Sequence, residues 1–404
     1  MVNKAAKALI IIACISTGIV AVLLAPLQGV QYNGTRIVSF SGAVDQINLI
    51  TNSDIANVEI RYSTDDTADL INLTYHYLIR YAILFSPPNV TVSLINSTLG
   101  KVLTVQVTVD FTPLGFTTMA ASVTYLTINP KLLSNLSIHV GTGNIILDNT
   151  NSQNKTFIDL DLQTATGNID VNLAADSRIT GDFYGSSASG NVDLTTGIRS
   201  SVAGSLQAYT SSGNVDVNLA NGSNIAGNLY LRTISGNSGL DVGENASIDG
   251  AMQVNTTSGN VAVLLREGVS LKTDFILKTG SGNVNLIFSN ISLANNAVTG
   301  TLRTISGNIL ISIQQLRDLD GNMTLDAKTS SGNVNLYIDL EQDYLSSTII
   351  PYTGSGSIHY IPLNPLGFHK VGINLVSDSP DQASNINADL HTTSGNVNIY
   401  ASRT

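Results

Sequence analysis

The sequence predicts an all-β fold, a parallel β-solenoid that follows one N-terminal transmembrane helix. Three observations predict it: a glycine-centred tripeptide at nearly constant spacing, two-residue alternation on both sides of it, and one long apolar run near the N-terminus. Composition agrees. Of 404 residues, 12% are charged and 43% hydrophobic, with 34 Gly, 41 Asn and 82 Ser plus Thr. A polar exterior must therefore be built largely from neutral amides and hydroxyls. One Cys excludes a disulfide framework or a Cys-based zinc site. A net charge of −10 argues against a nucleic-acid partner, which needs a basic face. Abundant Val, Ile and Leu with little charge excludes intrinsic disorder.

Taken in chain order, residues 1–29 form the first segment. The uncharged run 8–25 follows Lys4 and Lys7 and is closed by Pro26. At ~1.5 Å per residue it is just long enough to span a bilayer core. The lysines put its start in the cytoplasm and the remainder outside, a single-pass protein of the cell membrane. Pro26 spoils a small-x-small cleavage site, which favours an uncleaved signal anchor over a removed signal peptide. Ile11-Ile12-Ala13-Cys14 resembles a lipobox and Lys7-Ala8-Leu9-Ile10 a prepilin peptidase site, both short motifs.

Residues 30–140 show β-branched alternation without a clear repeat and are expected to begin and cap the solenoid. From 141 to 356 the repeat is regular. Ser/Thr-Gly-Asn places Gly at 143, 167, 190, 213, 236, 259, 282, 307 and 332, with a degenerate copy at Gly356 and a last one at Gly395. Around Gly213, Leu206, Ala208, Thr210 and Ser212 alternate with their neighbours, and Val215, Val217 and Leu219 alternate with Asn214, Asp216 and Asn218. Such alternation marks strands with one buried face. The unit reads as strand, Gly turn, strand and a variable polar segment. It is too short for a propeller blade and lacks any helical period. Residues 357–385 interrupt the period with a Pro-containing insertion, and 386–404 form the last coil and C-terminus.

Stacked coils put equivalent residues in columns about 4.8 Å apart. The Asn column comprises Asn168, Asn191, Asn214, Asn237, Asn260, Asn283, Asn308, Asn333 and Asn396, with Asn144 before it. Carboxamides that bond their equivalents above and below would form a structural ladder there. Gly supplies the corner conformation.

The strings TSSGNVDVNL, TTSGNVAVLL, TGSGNVNLIF and TSSGNVNLYI resemble the Ser-Gly-Asp/Asn-Val repeats of the "putative adhesin" family of β-helix domains, related to autotransporter adhesin heads. The resemblance covers roughly 55–400, including Ile128-Asn129-Pro130 before the first clear repeat. It implies a single-stranded right-handed parallel β-helix exposed outside the cell. It brings no catalytic residues. Asn stands here where Asp is commoner in the family.

A polysaccharide hydrolase or lyase would need clustered carboxylates, alone or with Arg or Lys, that break the repeat. No such cluster is visible, and no catalytic or cofactor-binding residue is assigned. One periodic carboxylate set occurs: Asp170, Asp193 and Asp216 share an outward position in successive coils. Like charges at that spacing repel, which bound Ca²⁺, screening or partial protonation would relieve. His359, His369 and His391, with Asp378, Asp381 and Asp389, make the 357–391 region the one aperiodic place rich in ionisable groups. Glycosylation sequons fall at Asn33, Asn72, Asn89, Asn96, Asn135, Asn154, Asn221, Asn245, Asn255, Asn290 and Asn322, none of them a corner Asn.

The function expected is therefore an adhesin or surface structural protein that meets glycans or other cell-surface proteins through many weak contacts. A filament subunit or membrane-linked sensor is the alternative, and a polysaccharide-active enzyme the third. Self-association through unprotected solenoid ends is a further expectation. An exterior of amides and hydroxyls, which do not titrate near neutral or acidic pH, suits acidic surroundings.

Overall fold

The computed structural model describes residues 27–38, 45–55, 57–64, 71–82, 89–99, 101–112, 117–294, 296–341, 345–361, 367–378 and 384–403. Among them the chain is all-β, and its regular part is built of parallel strands. A representative unit runs through strand Leu206–Ser212, corner Gly213, strand Val215–Leu219, a turn, and the short strand Asn224–Ile225. Each strand pairs in register with its equivalent one unit on, as in Leu206↔Leu229, Thr210↔Thr233 and Val215↔Ser238.

Alternation explains the core. Leu206, Ala208, Val215, Val217, Leu219 and Ile225 all point inward and are at most 2% exposed. Each such Val, Leu or Ile side chain contributes about 1.5–3 kcal/mol on burial, so every layer adds to one continuous apolar column. Ser212 departs from the expected alternation. The inward face ends at Thr210, and the chain turns outward to round the corner, leaving Ser211 and Ser212 exposed.

The corner binds each layer to the next by three sets of bonds. Gly213 has φ 139°, in the region that favours glycine, and its N–H donates to the Ser235 carbonyl. Its carbonyl accepts the Thr233 hydroxyl at 2.8 Å, and the same bond recurs from Thr164–Gly143 to Thr392–Gly332. Those hydroxyls belong to buried Thr, with buried Ser187 in that place at Gly167, so the bond removes an unsatisfied polar group from the core. The third set is the Asn ladder, and its geometry differs from the amide-to-amide bonding expected. Each Asn Oδ1 accepts the backbone N–H of the next corner Asn, at 2.8–2.9 Å from Asn168 through Asn191, Asn214, Asn237, Asn260, Asn283, Asn308 and Asn333 to Asn396. A corner N–H has no sheet partner, so the side-chain oxygen serves it.

The segment read as variable and polar is a second and third corner. Gly181, Gly204, Gly227 and Gly250 stack so closely that a Cβ on Gly227 would lie 2.3 Å from the Gly204 carbonyl oxygen. Asp176, Arg199, Gly222, Asn245 and Gly268 share a left-handed conformation at the third.

Order in space departs from order in sequence at both ends. Strand Gln46–Ile55 lies between Val102–Thr112 and Leu133–Thr142, and Asn57–Tyr62 lies between Thr117–Ile128 and Ile145–Asp148. At the other end, Ser384–Ser394 and Val397–Arg403 are inserted between Gly321–Ser331/Val334–Leu340 and Leu345–Ser355/Ile358–Ile361. The last unit in sequence is the penultimate one in space. The ladder follows the spatial order: it starts at Asn57, passes Asn144 and Asn333, and runs from Asn396 to the N–H of Ser357. Antiparallel strands cover the ends: Leu27–Val38 on Ile71–Ala82, Asn89–Leu99 on Val102–Thr112, and Asn374–Ser377 on Leu345–Ser355.

One expectation is corrected. Among the described residues no helix is long and apolar enough to cross a membrane, so the single-pass placement in the cell membrane is withdrawn. The run 8–25, and with it the question of cleavage, lies outside the described residues.

Candidate functional site

Asp170, Asp193 and Asp216 stand in register on the outward side of Ile169–Asn172, Val192–Thr195 and Val215–Leu219. Asp170 accepts a hydrogen bond from Asn172 Nδ2 at 2.9 Å. Asp193, the middle member, has its pKa pushed up to about 6, first by desolvation and then by the charges of Asp216 and Asp170. Asp216 is raised by desolvation. The column continues into Gly239, where a Cβ would lie 2.4 Å from Asp216 Oδ1, and then Ala262. These small residues leave a hollow of about 410 Å³ beside the carboxylates, walled by Leu264 and Ile287.

Burial and the two flanking carboxylates together favour a proton on Asp193. Among the described residues, no group of three or more His, Cys, Asp or Glu is placed to hold a metal ion. The pH dependence follows. Asp193 in the fold titrates above the unfolded value of 3.8, so the fold binds this proton more tightly than the unfolded chain does. The penalty is complete above pH ~6 and is relieved as pH falls toward 4. Asp193→Asn is expected to be more stable than the parent at pH 7 by roughly 1 kcal/mol, solvent screening included. The two melting temperatures should converge by pH 4. A parent-to-variant gap that widens on acidification would contradict this. Added calcium is expected to shift both proteins equally.

The ionisable groups of 357–391 do not come together. His369 Nδ1 meets Asp378 Oδ1 at 2.8 Å on the exposed antiparallel pair, while His391 stacks on Tyr352 with ring centroids 4.7 Å apart. His359 lies on the other sheet, Asp389 follows Asp326 in its own column, and Asp381 lies outside the described residues.

Among the sequons, Asn33, Asn154, Asn221, Asn245 and Asn322 are exposed, and Asn72, Asn135, Asn255 and Asn290 are half-buried. Asn221 and Asn290 already accept backbone N–H groups, at 3.0 and 2.8 Å. The side chains of Asn89 and Asn96 are outside the described set.

Two features escaped sequence reasoning. Lys155 is 2% exposed, its Nζ bonded to the Pro130 and Leu132 carbonyls and 4.5 Å from the Tyr62 ring centre; burial lowers its pKa to about 7. Nothing in its local sequence marks it as a core residue. The second is a pair of stacked tyrosines, Tyr337 and Tyr400, with centroids 4.2 Å apart. They are 63 positions apart in sequence and meet only because the last unit is threaded inward.

No protein-family model matches the chain, and no curated protein is similar to it. Solved structures similar to it include a "putative cell adhesion protein" from Clostridium sporogenes, at 10% identity and TM-score 0.21, covering 93% of this chain and 100% of that one. A "putative adhesin" from Bacteroides fragilis is 12% identical with TM-score 0.30, over 72% of this chain and 97% of that one. A "putative lipid binding protein" from Parabacteroides distasonis is 12% identical with TM-score 0.22, over 72% and 96%. At these identities and scores the likenesses carry no argument about what this chain does.

Proposed function

We propose that the chain is an adhesive surface protein, a single-stranded right-handed parallel β-helix that works by contact and not by catalysis. One observation carries the reading: parallel in-register stacking repeats the same exposed side-chain position on every layer. Ser212, Ser235 and Ser258 are successive members of such a column, and their hydroxyls face water. Weak contacts repeated at fixed spacing add by multivalency without a deep pocket. Antiparallel strands over both ends favour a finished unit over a head-to-tail filament. The exposed sequons named above are the glycosylation sites proposed, and intact mass of native material reads their use.

The test is attachment. Beads coated with the full chain are expected to bind cells or immobilised glycans, with avidity that climbs steeply with coating density. Release of new reducing ends from a polysaccharide would instead establish an enzyme. Density-independent capture would remove the multivalent mechanism.

A further inference from the structure

The outward face of the long strands carries a column of opposite character to the Asp column. His139, Arg232, Lys278, Arg303, Lys328 and His391 occupy one register line, and every other member of that line is neutral. In a chain of net charge −10 this line contains no carboxylate. Its charges are not all spent within the fold. His139 faces Asp161, and Arg303 and Lys328 share Asp326. Arg232 and Lys278 form no ion pair among the described residues, because the adjacent column offers them Tyr230, Gln253 and Ile276. Both side chains are exposed.

Along this line lie three hollows of about 500, 260 and 330 Å³, joined end to end by shared walls at Ser186 and Ser187, then at Tyr209 and Arg232. The last holds both free cations, Tyr209, Tyr230, Gln253 and Asn255. Asn255 sits between Arg232 and Lys278 in register, and its Oδ1 is buried with no hydrogen-bond partner.

We propose that this face is a binding trough for a linear acidic polysaccharide, seated in the hollow between Arg232 and Lys278. The cations are two layers apart, roughly 10 Å, a separation comparable to one disaccharide. Acidic groups on alternate sugars would meet one cation each. Tyrosine offers a face for the apolar side of a sugar ring and a hydroxyl for its edge. The Gln253 amide supplies both a donor and an acceptor for ring hydroxyls. The inference rests on the adhesive reading and gives its partner a chemistry, a carboxylated or sulfated chain.

Binding of the full chain to heparin, hyaluronan and dextran oligosaccharides of equal length, and to oligo-dT, tests it. Both acidic sugars, or one of them, should bind and dextran should not; which of the two binds identifies sulfate or carboxylate. Arg232→Gln/Lys278→Gln should weaken that binding about tenfold, by the loss of two exposed charge contacts. Arg199→Gln/Lys272→Gln makes the same change of net charge at residues paired with Asp176 and Asp249 elsewhere, and should change it less than twofold. Equal losses in the two double variants would overturn the trough, as would oligo-dT binding as tightly as the sugars. Dextran binding that neither double variant alters would overturn the trough and leave adhesion standing. Failure of all probes in a protein that still attaches to cells would do the same, whereas failure of attachment itself removes the adhesive reading first.

Discussion

Gly213→Ala is expected to destabilise the middle of the stack by about 4 kcal/mol, the sum of strain at a glycine-only conformation and overlap with backbone. Gly213 has φ 139°, and a Cβ there would lie 2.3 Å from the Gly190 carbonyl oxygen. Backbone cannot yield as a flexible side chain would. Two bonds depend on that approach: the Gly213 carbonyl accepts the Thr233 hydroxyl, and the Gly190 carbonyl accepts that of Thr210 at 2.7 Å. Separating the corners would orphan both buried hydroxyls. Because stability in a stacked repeat is a sum over neighbours, the damage should spread to adjoining units and fade toward the ends. Hydrogen exchange on the variant should show lost protection centred on 190–236. Ser212→Ala, one residue away and exposed, should change stability by no more than about 0.5 kcal/mol. A Gly213→Ala protein within about 1 kcal/mol of the parent would contradict the corner described here.

Removal of the last unit, by a stop after residue 383, is expected to cost more than one unit. Ser384–Ser394 and Val397–Arg403 supply the partners of two neighbours at once. Without them Leu345–Ser355 and Ile358–Ile361 have nothing in register beneath them. Arg403 adds to this: it is 4% exposed, and its guanidinium donates to the Leu345 carbonyl. Amides of 345–378 should exchange as in an unfolded chain, while those of 206–265 keep their protection. Units stacked in sequence order would behave differently, with 345–361 resting on 321–340 and staying protected. That outcome would refute the threaded end.

These two expectations mark the boundary of what the sequence made legible. The spacing of Gly190, Gly213 and Gly236 was enough to establish the period, the alternation and the register, and hence the Asp170–Asp193–Asp216 column. Those features are local, repeated in every unit, and enforced by period-two side-chain placement. The second corner was equally periodic at Gly181, Gly204, Gly227 and Gly250, yet its flanking residues vary, so only the glycine spacing could have revealed it. The threading of the ends left no periodic signal. Asn57 begins the ladder without a Ser-Gly-Asn around it, since only its carboxamide is needed, and Ser357 ends it through a backbone N–H that any residue but Pro provides. The trough was hidden for a third reason. Arg232 and Lys278 are 46 positions apart and share only a register, so the column emerges once strand pairing is known.

The most direct test of in-register stacking and spatial order together is a pair of spin-label distances in a Cys14→Ser background. Ser258, Ser394 and Ser355 belong to one exposed column, connected through Ser281, Ser306 and Ser331. Four layers separate Ser258 from Ser394 and five separate it from Ser355, so at ~4.8 Å per layer the backbone distances are roughly 19 and 24 Å. The label at 355 should lie farther from 258 than the label at 394 does. A shorter distance to 355 would show that the units stack in sequence order, and distances unrelated to the layer count would contradict the stack itself.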